Sequence, residues 1–149
     1  MQLTKFSDNA LRILLHLAAE PGRHLSVRDI AQAQGVSFNH LAKIGQWLAA
    51  EGYVKSMRGR GGGMQLAMDP SDISVGTLLR ESEASSPLVE CQRADGGTCR
   101  LTPACGLLPV LAEAQEAFFV VLDNISLADV LGRRQSMLKL LKSLHPSAA

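Results

Sequence analysis

Two short helical patterns, joined through a glycine and followed at once by a glycine-rich hairpin pattern, constrain the fold of this 149-residue chain more than any other feature. The first helix of this pair is predicted to start at Ser26, with Asp29 as its capping partner, and to end at Gly35. The second is predicted to have Ser37 as its N-cap and to end at Gly52. Its expected buried face consists of apolar residues at helical spacing, namely Phe38, Leu41, Ile44, Trp47 and Leu48. Two short helices around such a turn are typical of a helix-turn-helix unit.

The segment that follows is predicted to form a β-hairpin. Residues 53–57 and 64–67 read as its two strands, and residues 58–63 form a turn with the sequence Arg-Gly-Arg-Gly-Gly-Gly. A basic, glycine-rich hairpin directly after a helix-turn-helix is much less common by chance than a helix-turn-helix alone, so the pattern favours a winged helix. With an amphipathic helix over residues 7–19, the fold class is predicted to be mainly α with a small β-hairpin wing.

Beyond residue 70 the chain is predicted to continue as helices separated by one long loop. Ser74 is expected to cap a short helix that runs through Leu79. A polar linker over residues 81–87 then leads into a loop that contains all the cysteines.

The C-terminal part is predicted to start with a long apolar helix from Leu107, with Pro109 tolerated in its first turn. Ser126 and Asp129 predict a capping box for a further helix, and residues 145–149 are expected to be a frayed tail. A wing domain of ~65 residues covers only part of the long apolar stripe, and DNA readers of this kind usually pair. We therefore expect a symmetric homodimer built on the long helix.

The composition narrows the class of protein. The chain has no apolar run near the ~20 residues that a membrane span needs, so no membrane partner is expected. Met1 opens a polar segment without an apolar signal region, and a cytoplasmic protein is expected. Residues 1–63 carry 8 Lys/Arg against 4 Asp/Glu, whereas residues 64–149 carry 7 against 10. The N-terminal half is thus the basic half, which suits an anionic partner.

Candidate DNA contacts lie on the second helix of the helix-turn-helix. Asn39, His40 and Lys43 fall on the face opposite the apolar stripe and are the candidate base readers. Asn pairs bidentately with adenine, and Lys reaches guanine or a phosphate. The Ser37 hydroxyl, together with the helix N-terminus, can hold a phosphate. The open alternative is a solvated polar face, because many residues of such helices touch only the DNA backbone.

The wing supplies a second set of candidates. Arg58 and Arg60 stand beside glycines that allow a close approach to a narrow minor groove. Arg28 is a weaker candidate for a phosphate contact. For the wing, the open alternative is a flexible basic turn.

The three cysteines of the chain, Cys91, Cys99 and Cys105, crowd into one loop with the spacing C-x7-C-x5-C. Three thiolates that can turn toward a common centre are what a metal ion or an iron–sulfur cluster requires, and an odd number cannot all form disulfides. Zinc sites usually contain a close C-x2-C pair, which this chain lacks, so a cluster is favoured over zinc and over three buried thiols. The residues leave a fourth ligand open among His16, His24, Glu90, Asp95 and Asp8.

Taken together, these motifs resemble the iron–sulfur winged helix-turn-helix regulators of the Rrf2 type, nearly end to end. The resemblance is carried by residues 1–4, 8–12, 35–37, 39–44, 58–63, 99–105, 122–124 and 126–131. Leu108 stands where one branch of the family has a histidine. The segments Leu-Thr-Pro-Ala-Cys and Leu-Ala-Asp are instead similar to the nitric-oxide-sensing repressors of the family.

The resemblance implies a repressor that binds double-stranded operator DNA and senses nitric oxide through a 4Fe-4S cluster. It implies that Cys91, Cys99 and Cys105 hold the cluster, with Asp8 reaching across from the partner subunit as the fourth ligand. Arg12, one helical turn after Asp8, is then expected to support the cluster by holding that carboxylate.

The expected organisation has three parts. Residues 1–70 form a winged helix-turn-helix DNA-binding domain, 71–106 a connector helix with the cluster-binding loop, and 107–149 the dimerisation helix with the C-terminal helices. An alternative is an iron- or redox-sensing regulator of the same family, with either a 2Fe-2S or a 4Fe-4S cluster, because the gap between the first two cysteines is similar to that of an iron-responsive member. A thiol enzyme is disfavoured, since no histidine is placed convincingly beside a cysteine and no phosphate-binding loop is present. A protein-binding scaffold is the remaining alternative.

Overall fold

The computed structural model describes residues 2–57, 59, 62–132 and 134–144, apart from the side chains of residues 134 and 142. These residues form helices and one two-stranded antiparallel sheet, with three short 3-10 turns. In chain order the elements are α1 Lys5–Ala19, α2 Val27–Gln34, α3 Phe38–Ala50, β1 Val54–Met57, β2 Gly63–Leu66, α4 Val75–Ser82, α5 Leu107–Asp123, α6 Leu127–Val130 and α7 Arg134–Leu144. The predicted fold class, mainly α with a small β-hairpin, is confirmed.

Local capping signals explain where α1 and α2 begin and end. Thr4 caps α1, since its hydroxyl oxygen accepts from the Ser7 N–H at 3.2 Å, and the helix therefore starts two residues before the predicted position. Ser26 caps α2 by accepting from the Asp29 N–H at 3.0 Å. Gly35 then takes a φ of 64°, which only glycine adopts readily, and turns the chain into α3.

The main apolar core lies between α1, α2, α3 and the hairpin. The hairpin is tied to the segment before α2, because Leu25 and Met64 exchange two backbone hydrogen bonds of 2.9 and 2.8 Å. Leu127, Leu131 and Leu141, from the C-terminal helices, belong to this same core. The end of the chain thus returns to the domain in which the chain begins.

Helix α4 connects that domain to α5. A second, smaller core of Val75, Leu79 and Phe119 lies between α4 and α5. At the C-terminal end of α4, Glu81 accepts a 2.6 Å hydrogen bond from the Tyr53 hydroxyl. Burial and this carboxylate raise the pKa of Tyr53 above its ordinary value, so the phenol stays protonated and keeps donating.

Two further contacts fix the C-terminal end of α4. Glu83, just after α4, accepts from both the backbone N–H and the hydroxyl of Thr4, at 2.8 and 2.9 Å. Arg80 donates two hydrogen bonds of 2.7 Å to Glu116 and further bonds of 2.9 and 3.2 Å to Asp123. Its guanidinium also lies 4.9 Å from the ring centroid of Phe119. Helix α4 is therefore bonded both to the start of α1 and to α5.

Several sequence predictions need correction. The apolar spacing predicts Phe38 in the buried face of α3, but 46% of it is exposed and it belongs to neither core. Ser37 is the N-cap residue of α3 but makes no capping hydrogen bond with its side chain. The expected linker over 81–87 begins later, because α4 runs through Ser82. The tail over 145–149 lies outside the described residues.

The helices of the described part of the chain also bear on the membrane question. None of them combines the length and the apolar content that a crossing of the bilayer requires.

Candidate functional site

The three cysteines line a single cavity of about 210 Å³. All three are free and half-buried. The other residues that line the cavity are Val89, Glu90, Leu101, Leu107, Leu108 and Leu111. Apart from Glu90, these are apolar, so the three cysteines share a small space with largely apolar walls.

Two short turns position the thiols. Cys91 lies in the 3-10 turn Glu90–Gln92, and Cys105 directly follows the 3-10 turn Thr102–Ala104, two residues before α5 begins. The Thr102 hydroxyl donates to the backbone carbonyl of Cys99 at 2.9 Å. The sequence predicted one loop for the cysteines, and these turns explain how that loop directs them toward one space.

A carboxylate closes the loop between the first two cysteines. Glu90 accepts from the hydroxyl and from the backbone N–H of Thr98, at 2.7 and 3.1 Å. These two bonds lower the pKa of the Glu90 carboxyl, so it is ionised at neutral pH. The contact brings residue 98 back beside residue 90, and the neighbouring Cys91 and Cys99 line the same cavity.

This donor set suits a soft metal centre, either an iron–sulfur cluster or a zinc ion. Thiolates are soft ligands that select iron–sulfur clusters and zinc, and apolar walls keep water away from the sulfurs. A zinc ion needs its ligands within about 2.3 Å of one point, whereas cysteines on a cluster bind separate irons. Among the described residues, no group of three or more His, Cys, Asp or Glu side chains is arranged to hold a metal ion.

Asp8 and Arg12 lie together in the first half of α1. The Asp8 carboxylate accepts from Arg12 Nη2 at 2.8 Å and from Arg12 Nε at 3.2 Å, and about half of each side chain is exposed. The predicted contact between the two is thus present. Asp8 does not line the cysteine cavity of its own chain, so one subunit alone does not bring this carboxylate to the thiols.

The candidate DNA contacts of the helix-turn-helix lie mostly on one exposed surface. Asn39 and Lys43 are exposed on α3, Ser37 is exposed just before it as the N-cap residue, and Arg28 is exposed on α2. His40 is only half-exposed, and its Nε2 atom is buried without a hydrogen-bond partner among the described residues. That nitrogen is consequently not presented to a base in this conformation. The wing candidates Arg58 and Arg60 lie outside the described residues.

Sequence reasoning missed one residue on this surface. The Arg28 guanidinium lies 5.5 Å from the centroid of the Phe38 ring, which is exposed beside Ser37 and Asn39. Phe38 fits the apolar spacing of α3, but the fully buried stripe starts only at Leu41. Its position in the first turn of the helix was the available signal.

Helix α5 exposes an apolar seam. Exposed residues alternate at spacings of three and four along it, namely Leu107, Val110, Ala114, Ala117 and Val121. Exposure reaches 59% at Val110 and 68% at Val121. Such a seam is the pattern by which one helix packs along another.

The comparisons with known proteins agree with this geometry. The family model described as "Rrf2: Iron-dependent Transcriptional regulator" matches residues 3–133. This chain belongs to the Rrf2 family. It is therefore a transcriptional regulator, and the relatives' names favour this class over the thiol enzyme.

Similar proteins of this family cover almost the whole chain. The HTH-type transcriptional regulator NsrR of Bacillus subtilis is 43% identical over 143 residues, which are 95% of this chain and 98% of that protein. NsrR of Geobacillus kaustophilus is 46% identical, over 95% of this chain and 97% of that protein. The predicted resemblance to the Rrf2-type regulators is confirmed.

Solved structures support the same fold. IscR of T. potens superposes with a TM-score of 0.66 at 27% identity, over 100% of this chain and 94% of that chain. CymR, the global cysteine regulator of B. subtilis, gives a TM-score of 0.65 at 26% identity, over 88% and 96%. The winged helix-turn-helix prediction for this Rrf2 regulator is thereby confirmed.

Proposed function

We propose that this Rrf2 regulator is a dimeric transcriptional repressor that senses nitric oxide through a 4Fe-4S cluster held by Cys91, Cys99 and Cys105. The observation that carries the proposal is the single cavity with largely apolar walls that all three cysteines line. Its occurrence in a chain that is 43% and 46% identical to two NsrR proteins supports a cluster-dependent regulator. The resemblance of residues 101–105 and 127–129 to the nitric-oxide-sensing branch supports nitric oxide as the signal.

The chain's own residues would shape the cluster site. The three thiolates would bind iron, and the bonds from Glu90 to Thr98 would hold the segment between Cys91 and Cys99 closed. Asp8 of the partner subunit is the proposed fourth ligand, with its carboxylate oriented by Arg12. When bound, the cluster supplies iron that reacts with nitric oxide. A carboxylate is a harder ligand than a thiolate, so the bond to Asp8 is the one we expect to be lost first.

Dimerisation is proposed to use the apolar seam of α5. Pairing two such helices would bury Val110 and Val121, which are otherwise exposed to water at a free-energy cost. A dimer also provides the second subunit from which Asp8 can approach the cysteine loop. We propose that residues 107–149 supply this dimerisation helix and the C-terminal helices.

The DNA-binding domain is proposed to comprise residues 1–70, with residues 71–106 as the connector and cluster-binding loop. Its partner is double-stranded operator DNA in the cytoplasm. The proposed contacts are Arg28, Ser37, Asn39, His40, Lys43, Arg58 and Arg60. Two recognition helices in a symmetric dimer would read two half-sites about one helical turn apart.

Contacts at the end of α4 explain how the loop can influence DNA binding. Glu83, which starts the segment leading to the cysteine loop, is bonded twice to Thr4, the N-cap of α1. Asp8 lies one turn further along α1. Loss of the Asp8 bond or of the cluster would free the loop, and movement of that segment would act directly on the start of α1. A shift of ~3 kcal/mol in binding free energy would lower operator affinity more than a hundredfold.

An iron- or redox-sensing regulator of the same family is the second candidate. The family description, "Iron-dependent Transcriptional regulator", supports this second candidate. In such a regulator, the supply of iron alone could determine how many of the sites hold a cluster. The architecture would be the same, and a 2Fe-2S cluster would be the main chemical difference.

Anaerobic purification followed by a nitric oxide titration tests the proposal, with absorbance and native mass spectrometry as readouts. We expect a dimer with one four-iron cluster per subunit that is lost stepwise as nitrosyl products form. A two-iron cluster that cycles with reductant and resists nitric oxide would contradict the proposal and support the second candidate.

The variant Cys99→Ala tests the link between cluster and DNA. It should lose both the visible cluster absorbance and cluster-dependent operator binding, because one of three thiolates is removed. Ser85→Ala, in the exposed linker before the loop, is the control and should keep both. Operator binding by Cys99→Ala at wild-type strength would refute the mechanism.

A further inference from the structure

Phe38 is an exposed aromatic residue at the start of the helix proposed to read DNA. It is the first residue of α3, it is 46% exposed, and it belongs to neither apolar core. Single exposed apolar residues are common on protein surfaces and need no special cause. Phe38 differs because of its position: the exposed polar candidates Ser37 and Asn39 flank it directly.

A cation is held over the Phe38 ring. The guanidinium of Arg28, from α2, lies 5.5 Å from the ring centroid, a distance at which the ring quadrupole attracts it. Arg28 is exposed, and among the described residues it forms no ion pair with a carboxylate. The ring and the cation are thus held together, and the charge remains available to an anionic partner.

The two helices that carry these residues have different roles in a docked helix-turn-helix. The second helix places its N-terminal residues against base edges in the major groove, while the first helix crosses the phosphate backbone. Phe38 lies at the N-terminal end of the second helix and Arg28 lies on the first. Among base edges in that groove, the C5-methyl group of thymine is the apolar feature that a phenyl ring contacts.

We propose that Phe38 is a specificity-determining residue that packs on the C5-methyl group of one thymine in each operator half-site, while Arg28 bonds a neighbouring phosphate. This inference rests on the proposed DNA-binding function and adds to it a base preference. The sequence indicated only Asn39, His40 and Lys43 as base readers. Under this proposal the apolar side chain of Phe38 also contacts a base. The ligand feature is one methyl group, so the contact can be tested by removing only that methyl group.

The experiment uses the cluster-loaded dimer and a duplex that the protein itself selects from a random pool. Each thymine of one half-site is replaced in turn by deoxyuridine, which lacks only the methyl group. At one position we expect affinity to fall about fourfold, the effect of one buried carbon, which corresponds to about 0.8 kcal/mol. At that same position Phe38→Ala should bind both duplexes equally, because it has no ring to pack on the methyl group.

Matched variants separate base reading from folding and from charge. Phe38→Tyr keeps the ring and should keep the discrimination between thymine and deoxyuridine, whereas Asn39→Ala should lose affinity and still discriminate. Arg28→Gln should weaken binding to all duplexes alike and reduce the slope of log affinity against log salt by about one unit. Circular dichroism of Phe38→Ala at the assay temperature confirms that the variant is folded. If it is not, loss of the discrimination in Phe38→Gln, which replaces the ring with a polar side chain, provides the same test.

The outcomes distinguish this inference from the function on which it rests. A wild-type protein that binds the selected duplex but responds to no deoxyuridine substitution overturns the role of Phe38 and leaves DNA binding intact. Discrimination that persists in folded Phe38→Ala overturns it as well. Failure to select any duplex would instead refute the proposed DNA-binding function.

Discussion

Gly76 lies where α4 passes closest to the end of α5, and replacing it with alanine should loosen that junction. A Cβ atom at Gly76 would stand 2.2 Å from Asp123 Oδ1, 2.4 Å from its backbone nitrogen and 2.7 Å from its Cα. Ordinary contacts of a Cβ start at 3.4 Å. The backbone of Asp123 would therefore have to move by about 1 Å to admit one methyl group.

The size of the effect follows from the contacts that this movement disturbs. Inserting a methyl group into a packed junction costs about 1–3 kcal/mol. Two hydrogen bonds would stretch, from the Ser74 hydroxyl to the Asp123 carbonyl at 3.0 Å and from the Val75 N–H to the Ile125 carbonyl at 2.9 Å. Each contributes about 1 kcal/mol, and the better helix propensity of alanine offsets about 1 kcal/mol. We expect the free energy of unfolding to fall by about 2–4 kcal/mol, which lowers Tm by about 4–16 °C in a chain of this size.

Thermal unfolding of cluster-free protein, followed by circular dichroism, measures this change. Wild type and variants are compared at one protein concentration, because the stability of a dimer depends on concentration. Gly106→Ala is the matched control. Gly106 has a φ of −75°, and a Cβ added there would meet no atom within 4 Å, so its variant should stay within about 0.5 kcal/mol of wild type. If Gly76→Ala unfolds at the same temperature as Gly106→Ala, the close packing of α4 on α5 is refuted.

Two further predictions concern α5. Val121→Glu places a charge in the exposed apolar seam, so we expect sedimentation velocity to show a monomer. The control Glu113→Gln, on the same helix, should remain a dimer. If Val121→Glu also remains a dimer, the interface lies elsewhere. The Arg80 guanidinium holds the pKa of Glu116 below its ordinary value of 4.5, so this link stabilises the fold above about pH 4.5 and is lost as the pH falls through the lowered pKa. The urea midpoint of wild type should consequently fall more between about pH 5 and pH 3 than that of Glu116→Gln, and equal falls would contradict the assignment.

The local elements were predictable because their signals lie close together in the chain. Ser74 caps α4 and Ser126 forms a full capping box at α6, both as the spacing indicated. Pro109 lies in the first turn of α5, where its missing N–H leaves no helical bond unmade. The winged helix-turn-helix could be predicted from several such signals that follow one another along the chain, because each signal depends only on residues close in sequence.

Contacts between distant segments were not predictable in the same way. Arg80 meets Glu116 and Asp123, which lie 36 and 43 residues further along the chain. Nothing in the periodicity of either helix specifies which charged residues will face each other. The return of Leu141 to the N-terminal core was missed for the same reason, because an apolar stripe indicates burial but not the partner.

The candidate site shows the same division. Cysteine spacing and the glycines around it predicted one shared centre, which stays a prediction, and the three cysteines line one cavity. The bond between Glu90 and Thr98, which closes the loop, depends on the turn that the intervening residues take. Phe38 was misplaced because a periodic pattern assigns a face to each residue but does not say where along the helix the core ends.

Charged residues in the two halves of the chain differ in the contacts that they form. Residues 64–149 carry 10 acidic groups against 7 basic ones. Many of these acids accept internal hydrogen bonds, namely Asp69, Glu81, Glu83, Glu90, Asp95, Glu116, Asp123 and Asp129. Most of them hold α4, the cysteine loop and α5 in place, whereas Asp69 and Asp129 bond locally to Ser71 and Ser126. On the proposed DNA surface, by contrast, Arg28 and Lys43 are exposed and form no ion pair among the described residues. The acidic half thus uses much of its charge in internal structure, whereas Arg28 and Lys43 of the basic half remain available for phosphate.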